Sequence, residues 1–419
     1  MNGRRAPDRA AHAPLLAYLA IVIGVLSGSP LHAQQSSPTP ALTVEAAVQK
    51  ALAANRALQS ARLSLPVAAA DVQIARERPN PDFLFETERE TPKQAVGLSL
   101  PIELGHKRQA RIALADASSK VAEADVARTE ADIENDVRRA YYTAVAADRR
   151  VALSEEIRGL AQRLRDTAAT RAQAGDVAEL EVVQLTIGVL EADQDVSAAR
   201  GDAAAARADL DVLVGEPPTA SFTLTDDLAA APLPALPGVL ARVAEANSTL
   251  LGLERRITEQ TARRDVAASL KVPDLNVSGS VTYLAMPEFR VGWRASAGMT
   301  VPLFSSHTAG VTREDAELAR IRAERDATRI AIDSAVTVAF VRAAAVREQV
   351  LRFNQEILPA LERADSMIQE GYTAGHTPLV TVLAALRQSR ESRAKGLQAA
   401  LDYQLALTDL ERAAGTRLP

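Results

Sequence analysis

The sequence predicts a mainly α chain with a smaller β part, assembled from two copies of one plan. Three observations predict it. Two very long stretches carry apolar residues at coiled-coil spacing, four short runs alternate apolar and polar residues, and residue pairs recur in order about 200 positions apart.

The recurrence sets the domain organisation. Ala174-Gly175 is matched by Ala374-Gly375, Leu210 and Gly215 by Leu410 and Gly415, and Leu153 and Ile157 by Phe353 and Ile357. Earlier in the chain Ala54-Asn55 and Leu58 pair with Ala246-Asn247 and Leu250, and Pro81-Asp82 with Pro273-Asp274, at an offset of 192. The second copy is therefore longer only in the strand region. Residues 34–215 form repeat 1 with a β-hairpin at 82–101, and residues 238–419 form repeat 2 with a β-hairpin at 274–302. The segment 216–237 contains five prolines and reads as an extended linker.

Each copy begins with a helical stretch, at about 43–78 and 238–271, that stops at a Pro-Asp pair. Pro66 inside the first of these demands a kink or a cost near 3 kcal/mol. Strand-like runs follow at about 82–90 and 94–100, and at 274–285 and 289–301. In the last run Val291, Trp293, Ala295, Ala297, Met299 and Val301 alternate with Gly292, Arg294, Ser296, Gly298 and Thr300. One apolar and one polar face at period two is the pattern of a membrane barrel; the alternative is a soluble sheet with one wet face.

Long helices come next, at about 103–171 and 304–372, each spanning roughly 100 Å. Their seams run Leu153, Ile157, Leu160, Leu164 in copy one and Val346, Val350, Phe353, Ile357, Ala360, Ala364 in copy two. A glycine turn ends each long helix. Gly175 suits a left-handed cap, and Asp176 with Glu179 reads as a capping box for the next helix. After Gly375, Thr377 reads as the N-cap and Pro378 as the first helical residue.

Composition excludes several classes. The 419-residue chain has no cysteine, so no disulfide, thiolate site or cysteine nucleophile exists. The net charge of −5 offers no basic excess for nucleic acid. No metal-ligand spacing, phosphate loop or nucleophile motif points to an enzyme or cofactor, and Gly105-His106-Lys107-Arg108 lacks the rest of a phosphate loop. His106 and His307, at corresponding places in the copies, read as polar helix-start residues rather than a metal pair. Lys107 and Arg108 beside them are suited to lipid phosphates or simply to water.

Residues 1–33 have the form of a secretory signal: Arg4, Arg5 and Arg9, an apolar run from Leu15 to Leu26, and a small residue at Ala33. A mature chain in a membrane must then cross it as a β-barrel. Four strands leave two open edges, which lipid forbids. Several copies must share one barrel, since single-chain barrels start at about eight strands. Two copies reach that number and three exceed it.

With these elements in place, the chain resembles the TolC-type outer-membrane efflux family over residues 42–415. "LTVEAAVQKALAANRAL" (42–58) resembles its opening helix, and "RAQAGDVAELEVVQ" (171–184) and "GYTAGHTPLVTVLAA" (371–385) its two periplasmic turns. "LSLPIELGHKRQARIALADA" (98–117) resembles the heavy-metal-cation (CzcC-like) branch, with His106 where that branch has a second glycine. The resemblance implies a homotrimer with a twelve-stranded barrel in the outer membrane lipid and an α-helical barrel across the periplasm. It implies a periplasmic adaptor, docking at the turns that hold Gly175, Gly375, Thr377 and Pro378, and an inner-membrane pump of the resistance-nodulation-division type. The substrate class is heavy-metal cations or small molecules such as drugs. The resemblance also implies a gate, with Tyr372 as the tyrosine that ties the tip shut and Glu181 as its acidic partner. The family's D-V-L-D acids are replaced by Thr381-Val382-Leu383-Ala384, leaving Asp176 and Glu179 as the negative entrance. The alternative, a periplasmic coiled-coil adaptor or other structural protein without a membrane barrel, calls for one helical hairpin where this chain has two.

Overall fold

The computed structural model describes residues 41–90, 92–217, 222–285, 287, 289–301 and 304–418. The signal segment 1–33 lies outside the described residues. In chain order the elements are β1 (Ala41–Leu42), α1 (Val44–Ala54), α2 (Arg56–Arg62), α3 (Ser64–Arg76), β2 (Asp82–Thr87), β3 (Gln94–Ile102), α4 (Lys107–Gln173), α5 (Glu179–Val214), β4 (Thr223–Leu224), α6 (Leu236–Ala246), α7 (Ser248–Ser269), β5 (Leu275–Ala285), β6 (Phe289–Met299), α8 (Thr308–Arg352), a π-turn (Phe353–Ile357), α9 (Leu358–Thr373) and α10 (Leu379–Ala414).

The flanking helices are broken where continuous helices were expected. Asn55 and Asn247 each end one helix and cap the next from an extended conformation. Their Oδ1 atoms accept from Leu58 N and Leu250 N, both at 3.0 Å. A second break at Leu63 removes the difficulty of Pro66. Helix α3 starts at Ser64, so Pro66 lies in its first turn, where an N–H has no intrahelical partner. The breaks meet the left-handed ends of the opposite helices. Gly415 (φ 64°) closes α10 against Asn247, whose Nδ2 donates to Ala414 O at 3.0 Å, and Gly215 (φ 73°) closes α5 against Ala54.

Helix α4 runs 67 residues without interruption. Its counterpart does not. Pro359 has no N–H for the carbonyl one α-turn back, and the chain inserts a π-turn at Phe353–Ile357. This corrects the expected seam. Val346, Val350 and Phe353 face inward as expected, but Ile357 is 40% exposed and Ala360 and Ala364 are exposed as well. The inward set resumes one residue later, at Leu358, Leu361, Asp365, Ile368 and Tyr372. The Phe353 ring lies directly on Gly396 of α10, where a Cβ has no room.

The helices stand side by side in one row. Near the tips the order is α5, α4, α10 and α8–α9; nearer the sheet it is α3, α4, α7 and α8. The linker is not loose. Tyr141 Oη donates to Leu42 O at 2.7 Å and accepts from Thr225 N and Asp226 N, while Tyr403 Oη and Gln404 Nε2 donate to Ala231 O and Ala229 O. These bonds belt the middle of the rod, over a core of Val48, Ala51, Val137, Ala144, Leu210 and Val214. Burial pushes the Tyr141 phenol up to about 12; the backbone N–H groups of Asp226 and Thr225 oppose the shift and the Asp226 carboxylate adds to it.

Strands β2-β3-β5-β6 form one antiparallel sheet with β2 and β6 as open edges. Lys107 pairs with Asp274 at 2.8 Å, and Arg108 and Arg111 donate to the last carbonyls of α3, at Arg76, Ala75 and Glu77. Those cations tie the sheet end of the rod together. His106 and His307 stand at the starts of α4 and α8 in left-handed backbone (φ 60° and 51°) without a side-chain cap bond. Among the described residues no cluster of three potential metal ligands occurs.

Candidate functional site

Two turns of the same construction close the far end of the rod. After α4, Gly175 N donates to Ala172 O and Asp176 N to Arg171 O; after α9, Gly375 N donates to Tyr372 O and His376 N to Gly371 O. Both are Schellman ends, made possible by positive φ at Gly175 (82°) and Gly375 (78°). The expected caps are displaced. Asp176 spends its backbone N–H on the Schellman bond, so α5 begins at Glu179 with Ala178 as its N-cap, and no capping box forms. Thr377 seats its hydroxyl against Gly371, and α10 starts at Leu379 with Pro378 in the N-cap place.

The turns bring together two groups from different hairpins. Tyr372 is fully buried among Leu164, Ala168, Leu185, Leu379 and Val382. Its Oη reaches Glu181 Oε2 at 3.5 Å, the outer limit of a hydrogen bond. Burial first, then the Glu181 charge, pushes the Tyr372 phenol above its ordinary value, and Arg171 opposes the shift. Glu181 and Glu179 lie in the first turn of α5, where the helix dipole favours an acid. Asp176 and Glu179 are exposed and do not join the Tyr372 cluster.

Arg171, which no sequence motif singles out, is the third member. From α4 it donates Nη1 to Tyr372 O at 3.0 Å, and its guanidinium stands 5.4 Å from the centre of the Tyr372 ring. Its Nη2 would lie 3.2 Å from a Cβ on Gly375. One residue of copy one thus grips the end of the copy-two hairpin through backbone, ring and turn. Its one mark in the sequence is that the turn segment itself opens with this arginine. Thr381 and Ala384, in place of the family acids, are exposed and neutral.

A second feature lies beside the tip. Leu180, Val183, Ile187 and Leu190 of α5 are 64%, 50%, 52% and 58% exposed. Steps of three and four place them on one stripe, the spacing of a helix that receives another helix. The stripe borders a groove over α4 lined by Ile157, Gln184, Ile187, Leu386 and Arg390.

Comparison with known proteins agrees with this architecture. The sequence model of the outer membrane efflux protein family matches residues 47–216 and 239–416. The chain is 26% identical over 380 residues to the cobalt-zinc-cadmium resistance protein CzcC of Cupriavidus metallidurans, covering 89% of this chain and 90% of that protein. It is 26% identical over 317 residues to the nickel-cobalt-cadmium resistance protein NccC of Alcaligenes xylosoxydans xylosoxydans, covering 72% and 70%. The open-state structure of the Neisseria gonorrhoeae MtrE outer membrane channel superposes with a TM-score of 0.71 at 16% identity, covering 89% of each chain.

Proposed function

The chain belongs to the outer membrane efflux protein family, and from that premise we propose how it assembles, what it meets and what it passes. It is an outer-membrane efflux channel; three copies close it. The observation that carries the assembly is the curl of the sheet. Its apolar face is bare, with Phe83 at 68% and Trp293 at 82% exposure, while Ala95, Ser99 and Thr282 on the opposite face are buried although no layer covers them. The sheet is therefore concave on its polar side, the sense of a barrel with lipid outside and water within. Two open strand edges, β2 and β6, need partners.

The helical row has the same incompleteness. One lateral edge carries Leu63 at the break before α3, with Val67 and Ile74 on α3, above the α5 stripe, and the other carries Ile330, Val338, Val341 and Met367, all at least half exposed. A neighbouring copy covers both kinds of edge along one seam. Three copies of a four-stranded sheet give a twelve-stranded barrel, with an α-helical barrel continuing through the periplasm.

The tips, with Gly175, Gly375, Thr377 and Pro378 at their ends, dock a periplasmic adaptor that joins the channel to an inner-membrane pump of the resistance-nodulation-division type. Tyr372, Glu181 and Arg171 hold the tip closed at rest, and Asp176 and Glu179 make its entrance negative. The two metal-resistance relatives support divalent heavy-metal cations as the exported class. Deleting the gene should sensitise the cell to cobalt, zinc or cadmium. The intact chain, a trimer in mild detergent, should restore tolerance, and a chain without hairpin 274–302 should not. A well-folded monomer in detergent, or unchanged metal tolerance in the deletion strain, refutes this reading.

A further inference from the structure

The concave face of the sheet is built mostly from small residues. Cross-strand partners share a face, so its rows read Asp82–Ser99–Ser278–Ser296, Leu84–Gly97–Ser280–Arg294 and Glu86–Ala95–Thr282–Gly292. At Gly97 the strands approach so closely that a Cβ would collide with Gly279 O and with Ser280. Above this floor Arg294, on β6, reaches Glu86, on β2, with Nη1 and Oε2 3.8 Å apart. The charged side chains on this face of the strands are Asp82, Glu86, Arg290 and Arg294, two of each sign.

We propose that Arg294 and Glu86 are the charge filter of the barrel lumen, with Arg294 cancelling an acid that would otherwise make the bore cation-selective. The inference rests on the outer-membrane channel reading. A half-exposed pair at this distance contributes little to stability. In a narrow bore with low-dielectric walls, by contrast, one uncompensated charge per copy changes the local concentration of passing ions. Glu86 stands next to the last pair of its hairpin, Thr87 with Gln94, and Arg294 at the middle of β6, so the pair bridges the outer half of the strands, on the side remote from the helices. Because β2 and β6 are the sheet edges, closing the barrel also sets the Glu86 strand of one copy beside the Arg294 strand of the next, so compensation continues around the ring.

The chain has no cysteine, which permits a clean test. Ser280→Cys puts one thiol in the row of Arg294. In intact cells its rates of reaction with a cationic and an anionic methanethiosulfonate of similar size are measured, and their ratio is independent of how much protein reaches the membrane. Adding Arg294→Gln should shift the ratio several-fold toward the cationic reagent, and adding Glu86→Gln should shift it toward the anionic one. Arg294→Lys, which keeps the charge, should leave it unchanged. A reactive thiol whose ratio neither charge removal moves overturns the filter and leaves the channel reading standing. A thiol unreactive from outside refutes the lumen orientation, and with it both readings.

Discussion

Arg171→Ala removes the group that joins the two hairpins at the tip. Its Nη1 donates to Tyr372 O at 3.0 Å, and its guanidinium lies 5.4 Å from the ring centre. A half-buried charged hydrogen bond contributes about 1–2 kcal/mol and an accessible cation–π contact about 0.5–1 kcal/mol. Allowing for overlap, each chain holds its tip by about 2 kcal/mol through this residue. In the proposed trimer three such contacts would contribute about 5–6 kcal/mol, enough to carry the proposed two-state gate from almost always closed to almost always open. The Tyr372–Glu181 contact is weaker. At 3.5 Å it falls short of a full charge-assisted bond, so Tyr372→Phe costs at most about 1 kcal/mol per chain. Arg171→Ala should therefore raise the open fraction in planar bilayers, and cell sensitivity to large antibiotics, more than Tyr372→Phe does. Arg171→Lys, which keeps charge and loses the fork, should fall between them. If Arg171→Ala channels stay as closed as the unaltered ones, or if Tyr372→Phe opens them more, this ordering of the gate contacts is wrong.

Two further outcomes follow from backbone and burial. His106 sits at φ 60° without a side-chain cap bond, a conformation that costs a non-glycine residue about 1–2 kcal/mol, so His106→Gly should slow hydrogen exchange around the start of α4 by fivefold or more; unchanged protection would mean that the side chain compensates. Glu411 is held above the ordinary carboxylate value by burial, against the pull of Arg138. Its folded pKa thus exceeds its unfolded one, the folded state binds the proton more tightly, and its contribution to stability grows as pH falls from neutral through the folded pKa. Glu411→Gln should flatten that part of the stability–pH curve in denaturant titrations, and an unaltered slope would assign it to another group.

Much of this was readable without coordinates, where the deciding forces are local. Alternation along β5 and β6, the positive-φ glycines and the duplicated order of elements each depend on a few neighbouring residues. The α5 stripe of Leu180, Val183, Ile187 and Leu190 is legible in the same way, from steps of three and four within one helix. Asn55 and Asn247 stand out in the sequence as a repeated pair but not as breaks, since apolar periodicity continues across both. Capping at the tips was misplaced because the Schellman bonds claim backbone donors before a side chain can be used.

The sequence by itself determined that this chain is two copies of helix, hairpin, long helix, turn and helix, and that its strands have one apolar face. Periodicity and backbone chirality act over a few residues, and so they show in the string. Only the tertiary structure decided that Pro359 and the seat of Phe353 on Gly396 insert a π-turn, turning Tyr372 inward and leaving Ile357 outside. It alone joined Arg171 to Tyr372 and Arg294 to Glu86, residues 201 and 208 positions apart in the chain. Such contacts depend on how whole helices and strands curve against one another, a sum over many packed residues that no local pattern records.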